Sequence, residues 1–85
     1  MSQSKEFLTV SDAAKTIQPG RYRHFKGGEY QVLGVGKHTE TLEEFVVYQK
    51  LGVEDRVLAI RPVVMFLETV DRDGYRGPRF IYVGE

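Results

Sequence analysis

Nine polar side chains interrupt runs that otherwise read as strands: His24, Lys26, His38, Glu40, Thr41, Glu43, Tyr48, Arg61 and Arg79. His38 and Glu40 fall two residues apart, and a neutral imidazole beside a carboxylate can act as a base or ligate a metal. The plainer reading is that Glu40 and Thr41 hydrogen-bond the amides of a turn. His24, on the same strand face as Tyr22, can be drawn together with His38 and a glutamate into a zinc or iron site. No HxH or HExxH spacing supports that, so no metal ligand is assigned. Arg61 offers a two-pronged fork to a carboxylate or phosphate, stiffened by Pro62. Its alternative is an internal ion pair with Glu40, Glu43 or Glu68.

Two further stretches have binding character. Arg21, Arg23 and Lys26 alternate with Tyr22 and Phe25, the combination that single-stranded nucleic acid uses for backbone contact and base stacking. Tyr30, Tyr48, Phe66 and Phe80 can line a groove for an extended or proline-rich peptide, although Phe66 and Phe80 are better used as core. Gly34-Val35-Gly36 lacks the third glycine and the following helix of a dinucleotide fingerprint. Neither GxxxxGK[ST] nor GxSxG occurs, so nucleotide hydrolysis and serine esterase chemistry have no support.

The elements that position these groups are short. Ser11 can cap a helix in which Val10, Ala13, Ala14 and Ile17 share one face, with Pro19-Gly20 ending it. From Gly20 the chain changes to aromatic and β-branched runs. Arg21 to Lys26 and Glu29 to Lys37 flank Gly27-Gly28, which reads as a tight hairpin. In the second run Tyr30, Val32, Gly34 and Gly36 fall on one side and Gln31, Leu33, Val35 and Lys37 on the other, and the two glycines predict a bend. Residues 38–41 join that run to Glu43–Leu51 in a second hairpin. Arg56 to Ile60 reads as a central strand ended by Arg61-Pro62. Val63 to Val70 reads as one helical turn followed by a strand, Asp71-Arg72-Asp73-Gly74 as a turn, Tyr75 to Pro78 as a loop, and Arg79 to Val83 as a closing strand.

The chain has 85 residues, enough for one core. Twelve basic and twelve acidic side chains cancel, which disfavours nonspecific attachment to nucleic acid. The absence of cysteine removes disulfides, thiolate metal sites and cysteine nucleophiles, and suits a reducing cytoplasm. Met1 to Glu6 lacks the apolar region of a secretory signal, and no run suits a membrane helix. The expected architecture is mainly β: a single domain, 1–85, with a helical extension over 1–19 and an SH3-like barrel of five to six strands over 20–83.

The combination Gly20-x-Tyr22-x-His24-x-Lys26-Gly27, Tyr30-x-Val32, His38-x-Glu40-Thr41-x-Glu43, Val46-Val47-Tyr48, Arg61-Pro62, Met65-Phe66-x-Glu68 and Arg79-Phe80 resembles domain-of-unknown-function family 1653. The resemblance runs from about Gly20 to Val83. It implies a small bacterial cytoplasmic protein with an SH3-like barrel, and it implies no reaction. Leu58-Ala59-Ile60 departs from it where an aromatic residue is expected.

The reading these observations favour is a noncatalytic binding module without a cofactor. Its candidate contacts are His24, Lys26, His38, Glu40, Thr41, Tyr48 and Arg61, and its ligand a small anion or a partner peptide. The rivals are a small enzyme in which His38 or His24 moves a proton, Glu40 orients it and Arg61 stabilises negative charge, and an RNA-associated accessory protein.

Overall fold

The computed structural model describes residues 8–55 and 57–85. The signal-sequence reading of Met1 to Glu6 and the expected strand start at Arg56 lie outside them. Within these residues two short helices and seven strands follow one another: α1 (Asp12–Lys15), β1 (Gly20–His24), β2 (Glu29–Lys37), β3 (Glu44–Lys50), β4 (Ala59–Pro62), α2 (Val63–Phe66), β5 (Thr69–Arg72), β6 (Tyr75–Pro78) and β7 (Phe80–Gly84).

The helix α1 forms where expected. The Ser11 hydroxyl accepts the Ala14 amide at 3.1 Å, satisfying one of the orphan donors of the first turn. Ala14 and Ile17 are buried against the sheet, with Val10 packed beside them. The phenol of Tyr22 donates to the Gln18 carbonyl at 2.8 Å and accepts the Gln18 amide at 3.1 Å, which pins the chain between α1 and β1. Burial raises the Tyr22 pKa above 10.0; the Gln18 bond opposes that rise and the charge of Tyr82 adds to it.

A second tie holds the helix to the far end of the sheet. The Glu44 carboxylate accepts from the Ser11 amide at 2.6 Å and from the Ser11 hydroxyl at 2.7 Å. These two bonds hold the Glu44 pKa below its ordinary 4.5, more than partial burial raises it, and Lys37 pulls in the same direction. A depressed carboxylate pKa contributes stability above the unfolded value and loses it as the pH falls through the folded one. Glu44→Gln is therefore expected to lower Tm at pH 7, with the gap to wild type closing as the pH drops below 4.5. Equal gaps at pH 7 and pH 3 in thermal melts would contradict this assignment.

The main sheet is antiparallel, in the order β4-β3-β2-β1-β7. Its mainly-β character and both predicted hairpins match the sequence, but the ladder is open. Among the described residues β4 and β7 share no pairing, and the remaining two strands, β5 and β6, form a separate sheet. The expected closed ring of five to six strands is therefore corrected to seven strands in two sheets. The main sheet is nonetheless tightly curled. Four inter-strand spacings separate β4 from β7, roughly 19 Å if flat, yet the Arg61 guanidinium on β4 lies 5.7 Å from the ring centroid of Phe80 on β7.

A bulge accounts for part of that curl. Val32 pairs with Tyr48, and Gly34 pairs with Val47, so Leu33 is the extra residue in β2. This corrects the simple alternation read from the sequence. Val32 is fully buried, Leu33 is 48% exposed, and Val35 packs on the core because the bulge has exchanged the faces. Gly34, at φ 154°, takes the backbone conformation that the bend requires.

Two other expectations shift. The segment read as a central strand is β4, four residues long and at the sheet edge, where Pro62 needs no donor. Leu58 and Ile60 are exposed, as are Val57, Val64, Met65 and Leu67 before β4 and in or after α2. The segment Tyr75–Pro78, read as a loop because of Gly77 and Pro78, is strand β6. It pairs with β5 across Asp73 (φ 55°) and Gly74 (φ 79°), the two positive φ angles of a type I′ hairpin turn.

The core lies on the concave face. Phe80 stacks on Phe66 of α2 with centroids 4.3 Å apart and meets Tyr30, Tyr48 and His24 edge to face. Val63 and Phe66 project inward from α2 at helical spacing, and Val32 and Val46 complete the layer.

Candidate functional site

The predicted site residues divide between opposite ends of the sheet. His38, Glu40 and Thr41 lie in the β2–β3 turn, while His24 and Lys26 lie in and beside the β1–β2 turn. The nine residues of β2 separate the two ends, a run of roughly 26 Å. The two histidines therefore cannot share a metal ion or a substrate. Among the described residues no group of three or more His, Asp or Glu side chains is placed to hold a metal.

The β2–β3 turn is organised by His38 itself. Its Nδ1 accepts the Glu40 and Thr41 amides, both at 3.1 Å, and Thr41 Oγ1 accepts the Glu43 amide at 3.2 Å. Thr41 thus bonds a turn amide as expected, whereas Glu40 takes part through its own amide, and His38 is the acceptor. The imidazole is the acceptor, which ties up the nitrogen a general base needs. Leu42, at φ 66°, closes the turn, its amide donating to the His38 carbonyl at 2.7 Å.

Arg61 makes no ion pair among the described residues, contrary to the internal-pair expectation. It projects from β4 across the concave face, where its Nε donates to the Tyr48 hydroxyl at 3.1 Å. Its guanidinium lies over Phe80, leaving its terminal nitrogens without a bond among the described residues. The core thus orients a fork whose tips are free. Tyr48, expected as a ligand contact, is buried and holds Arg61 in place.

Glu68 pairs instead with Arg79, whose Nη2 donates at 2.7 Å; Arg79 is only 16% exposed at the side chain. The Arg79 amide also donates to the Glu68 carbonyl at 3.1 Å, and its carbonyl accepts the Phe25 amide at 2.9 Å. Its buried Nε has no bonding partner. One arginine therefore ties α2, β7 and the β1–β2 turn together.

These groups converge on His24. Its ring packs against Phe25 (4.7 Å), Phe80 (5.0 Å) and Tyr30 (6.3 Å), and its Nδ1 accepts the Lys26 amide at 3.1 Å. Desolvation lowers the His24 pKa below its ordinary 6.5, and the charges of Arg79, Arg61, Lys26 and Arg72 lower it further. Arg72 was not singled out from the sequence. It reaches the cluster because the β5–β6 hairpin folds over Phe25, with the Arg72 guanidinium 5.3 Å above that ring and Tyr75 stacked at 5.5 Å. Lys50 lies 4.9 Å over Tyr30 at the same end of the sheet.

The result is a shallow cationic surface with an aromatic floor. Neutral His24, exposed Lys26 and Arg72, and the free tips of Arg61 can receive negative charge, while Arg79 and Tyr48 support them. Among the described residues no carboxylate is bonded to His24, whose Nδ1 accepts the Lys26 amide. The structure spreads the basic stretch read for nucleic acid over β1 and the turn after it. Tyr22 is buried, Arg21 faces Glu29 at 3.8 Å, and Arg23 and Lys26 are separated by the end of β1.

Comparison with known proteins agrees with this architecture. The sequence profile of the family described as "Protein of unknown function (DUF1653)" matches residues 20–82. A crystal structure of a DUF1653 protein from Bordetella bronchiseptica is 39% identical, covers 84% of this chain and 92% of that one, and superposes with a TM-score of 0.75. No match was found among curated proteins. The motifs from Gly20 to Arg79-Phe80 and the fold that carries them thus lead to the same place: the chain belongs to the DUF1653 family, whose function is unknown.

Proposed function

We propose that this protein is a noncatalytic binding module of SH3-like design that takes a small anionic ligand at the surface formed by His24, Lys26, Arg61 and Arg72. The observation that carries this reading is the convergence of four cations on one partly buried imidazole in a chain of zero formal charge. Among the described residues only Glu68 answers them, through Arg79. The curled sheet supports the SH3-like description, since its concave face is the core and its outer strands approach each other through side chains. The absence of cysteine and the relative from Bordetella support work in a bacterial cytoplasm.

The site predicts a clear dependence on its exposed cations. In calorimetric titrations at low salt, Lys26→Gln with Arg72→Gln is expected to weaken binding of inorganic phosphate about tenfold or more while leaving the thermal midpoint close to wild type, since exposed charges add little stability. Arg61→Gln is expected to abolish binding, with some loss of stability from its packing over Phe80. Unchanged phosphate affinity in the double variant, or no binding of phosphate or acetate by the wild-type chain, overturns the reading. The exposed apolar residues of β4 and α2 then become the place to seek a protein partner.

A further inference from the structure

We propose, resting on the anion-site reading above, that the ligand is a tetrahedral dianion of the phosphoryl class and that His24 takes up a proton when it binds.

Charge and direction carry the first part. Lys26, Arg61, Arg72 and Arg79 come from the β1–β2 turn, β4, β5 and the residue before β7, so they face the site from separate elements. Among the described residues the carboxylate ion-paired with any of them is Glu68, on Arg79. A carboxylate ligand is planar and singly charged, and one arginine fork satisfies it, which leaves most of this charge unanswered. A phosphoryl group brings nearly two charges and three outward oxygens, which suits cations arriving from several sides. Arg61 is already oriented for this role, with its Nε spent on Tyr48 and its terminal nitrogens unbonded.

The imidazole registers the charge that arrives. The groups facing His24 are Lys26 from the turn, Arg79 beside β7, Arg61 from β4, Arg72 from β5 and the Tyr30 ring from β2, with Glu68 engaged by Arg79. Nδ1 accepts the Lys26 amide, so the neutral ring carries its proton on Nε2. A second proton must go to Nδ1, at the cost of that bond and against four like charges. A dianion among the cations cancels much of this opposition, so the bound pKa of His24 lies above the free one. Between the two values binding takes up as much as one proton, and affinity rises as the pH falls by up to about tenfold per pH unit. Above the bound value affinity is independent of His24.

The test is an NMR titration of the His24 ring in the full chain, with and without sulfate, which stays a dianion from pH 5 to 8. Sulfate and phenyl phosphate are expected to bind at least tenfold more tightly than acetate and benzoate at equal low salt. Sulfate is also expected to raise the His24 midpoint by about one pH unit. His24→Gln is expected to lose the rise of sulfate affinity toward pH 5, whatever its affinity at pH 8. Should that variant fail to fold, the midpoint in the native chain still decides. Phenyl phosphate and a phosphoserine hexapeptide separate the two sources of the same chemistry: tighter binding of the first assigns a free ester, of the second a modified protein. Equal affinity for sulfate and acetate, or an unmoved midpoint with sulfate bound, overturns this inference and leaves the anion site standing. Failure of all these anions to bind overturns both.

Discussion

Phe80→Ala is expected to unfold most of the molecule at 37 °C. Phe80 is buried, stacks on Phe66, and touches the rings of Tyr30, Tyr48 and His24, so its loss removes the hub of the aromatic layer. Truncating a buried phenylalanine costs about 3–5 kcal/mol. A small domain stands near the lower end of the usual 5–15 kcal/mol of total stability, so this is most of its margin. Urea denaturation followed by circular dichroism should show a collapse of the midpoint. A loss under 1 kcal/mol would mean that Phe80 is not the centre of the core. Phe80→Leu should recover much of the loss, because it refills the volume without the ring contacts.

The second large effect is expected at Gly20, where β1 begins. Its φ of 143° is one that side-chain-bearing residues rarely adopt, and a Cβ there would meet the Gly84 carbonyl oxygen at 2.9 Å and the Tyr82 ring at 2.8 Å. The ring can move aside. The carbonyl belongs to β7, whose Gly84 pairs with Arg21, so it cannot move without opening that ladder. Gly20→Ala therefore combines backbone strain of about 1–3 kcal/mol with overpacking of about 1–3 kcal/mol. Gly34→Ala provides the comparison. It has a similar φ but nothing within 4 Å of its Cβ, so it carries the strain alone. Equal losses in the two variants would show that the β7 carbonyl is no obstacle.

The parts of this structure legible in the sequence are those set by local chemistry. Ser11 and the Ala-rich turn specify α1, Gly27-Gly28 specifies the first hairpin, and Pro62 before Val63 to Phe66 marks the change from strand to helical turn. The β5–β6 hairpin was hidden because Gly77 and Pro78 are poor strand formers, although Asp73-Gly74 carries the two positive φ angles of its turn. Strand alternation was read correctly up to Val32 and inverted beyond it, since one extra residue exchanges faces without leaving a compositional mark other than Gly34.

The site was legible in its residue types and not in its grouping. His24, Lys26 and Arg61 were each identified, yet His38, Glu40 and Thr41 were placed with them, although the turns before and after the nine residues of β2 must lie at its opposite ends. Arg72 was missed. Nothing near it in sequence distinguishes it from a solvated turn arginine, and only the folding of its hairpin over Phe25 brings it in. One of the three carboxylates offered as partners for Arg61, Glu68, is bonded to Arg79 instead.

The open ladder between β4 and β7 leaves the girth of the curl to side-chain contacts. A closed cylinder has a circumference fixed by its hydrogen bonds, whereas here the seam is bridged by the Arg61 side chain lying over Phe80 and bonded to Tyr48. That arginine works as a clasp as well as a fork. The side chain that would meet a ligand at the proposed surface is thus the one that spans the seam.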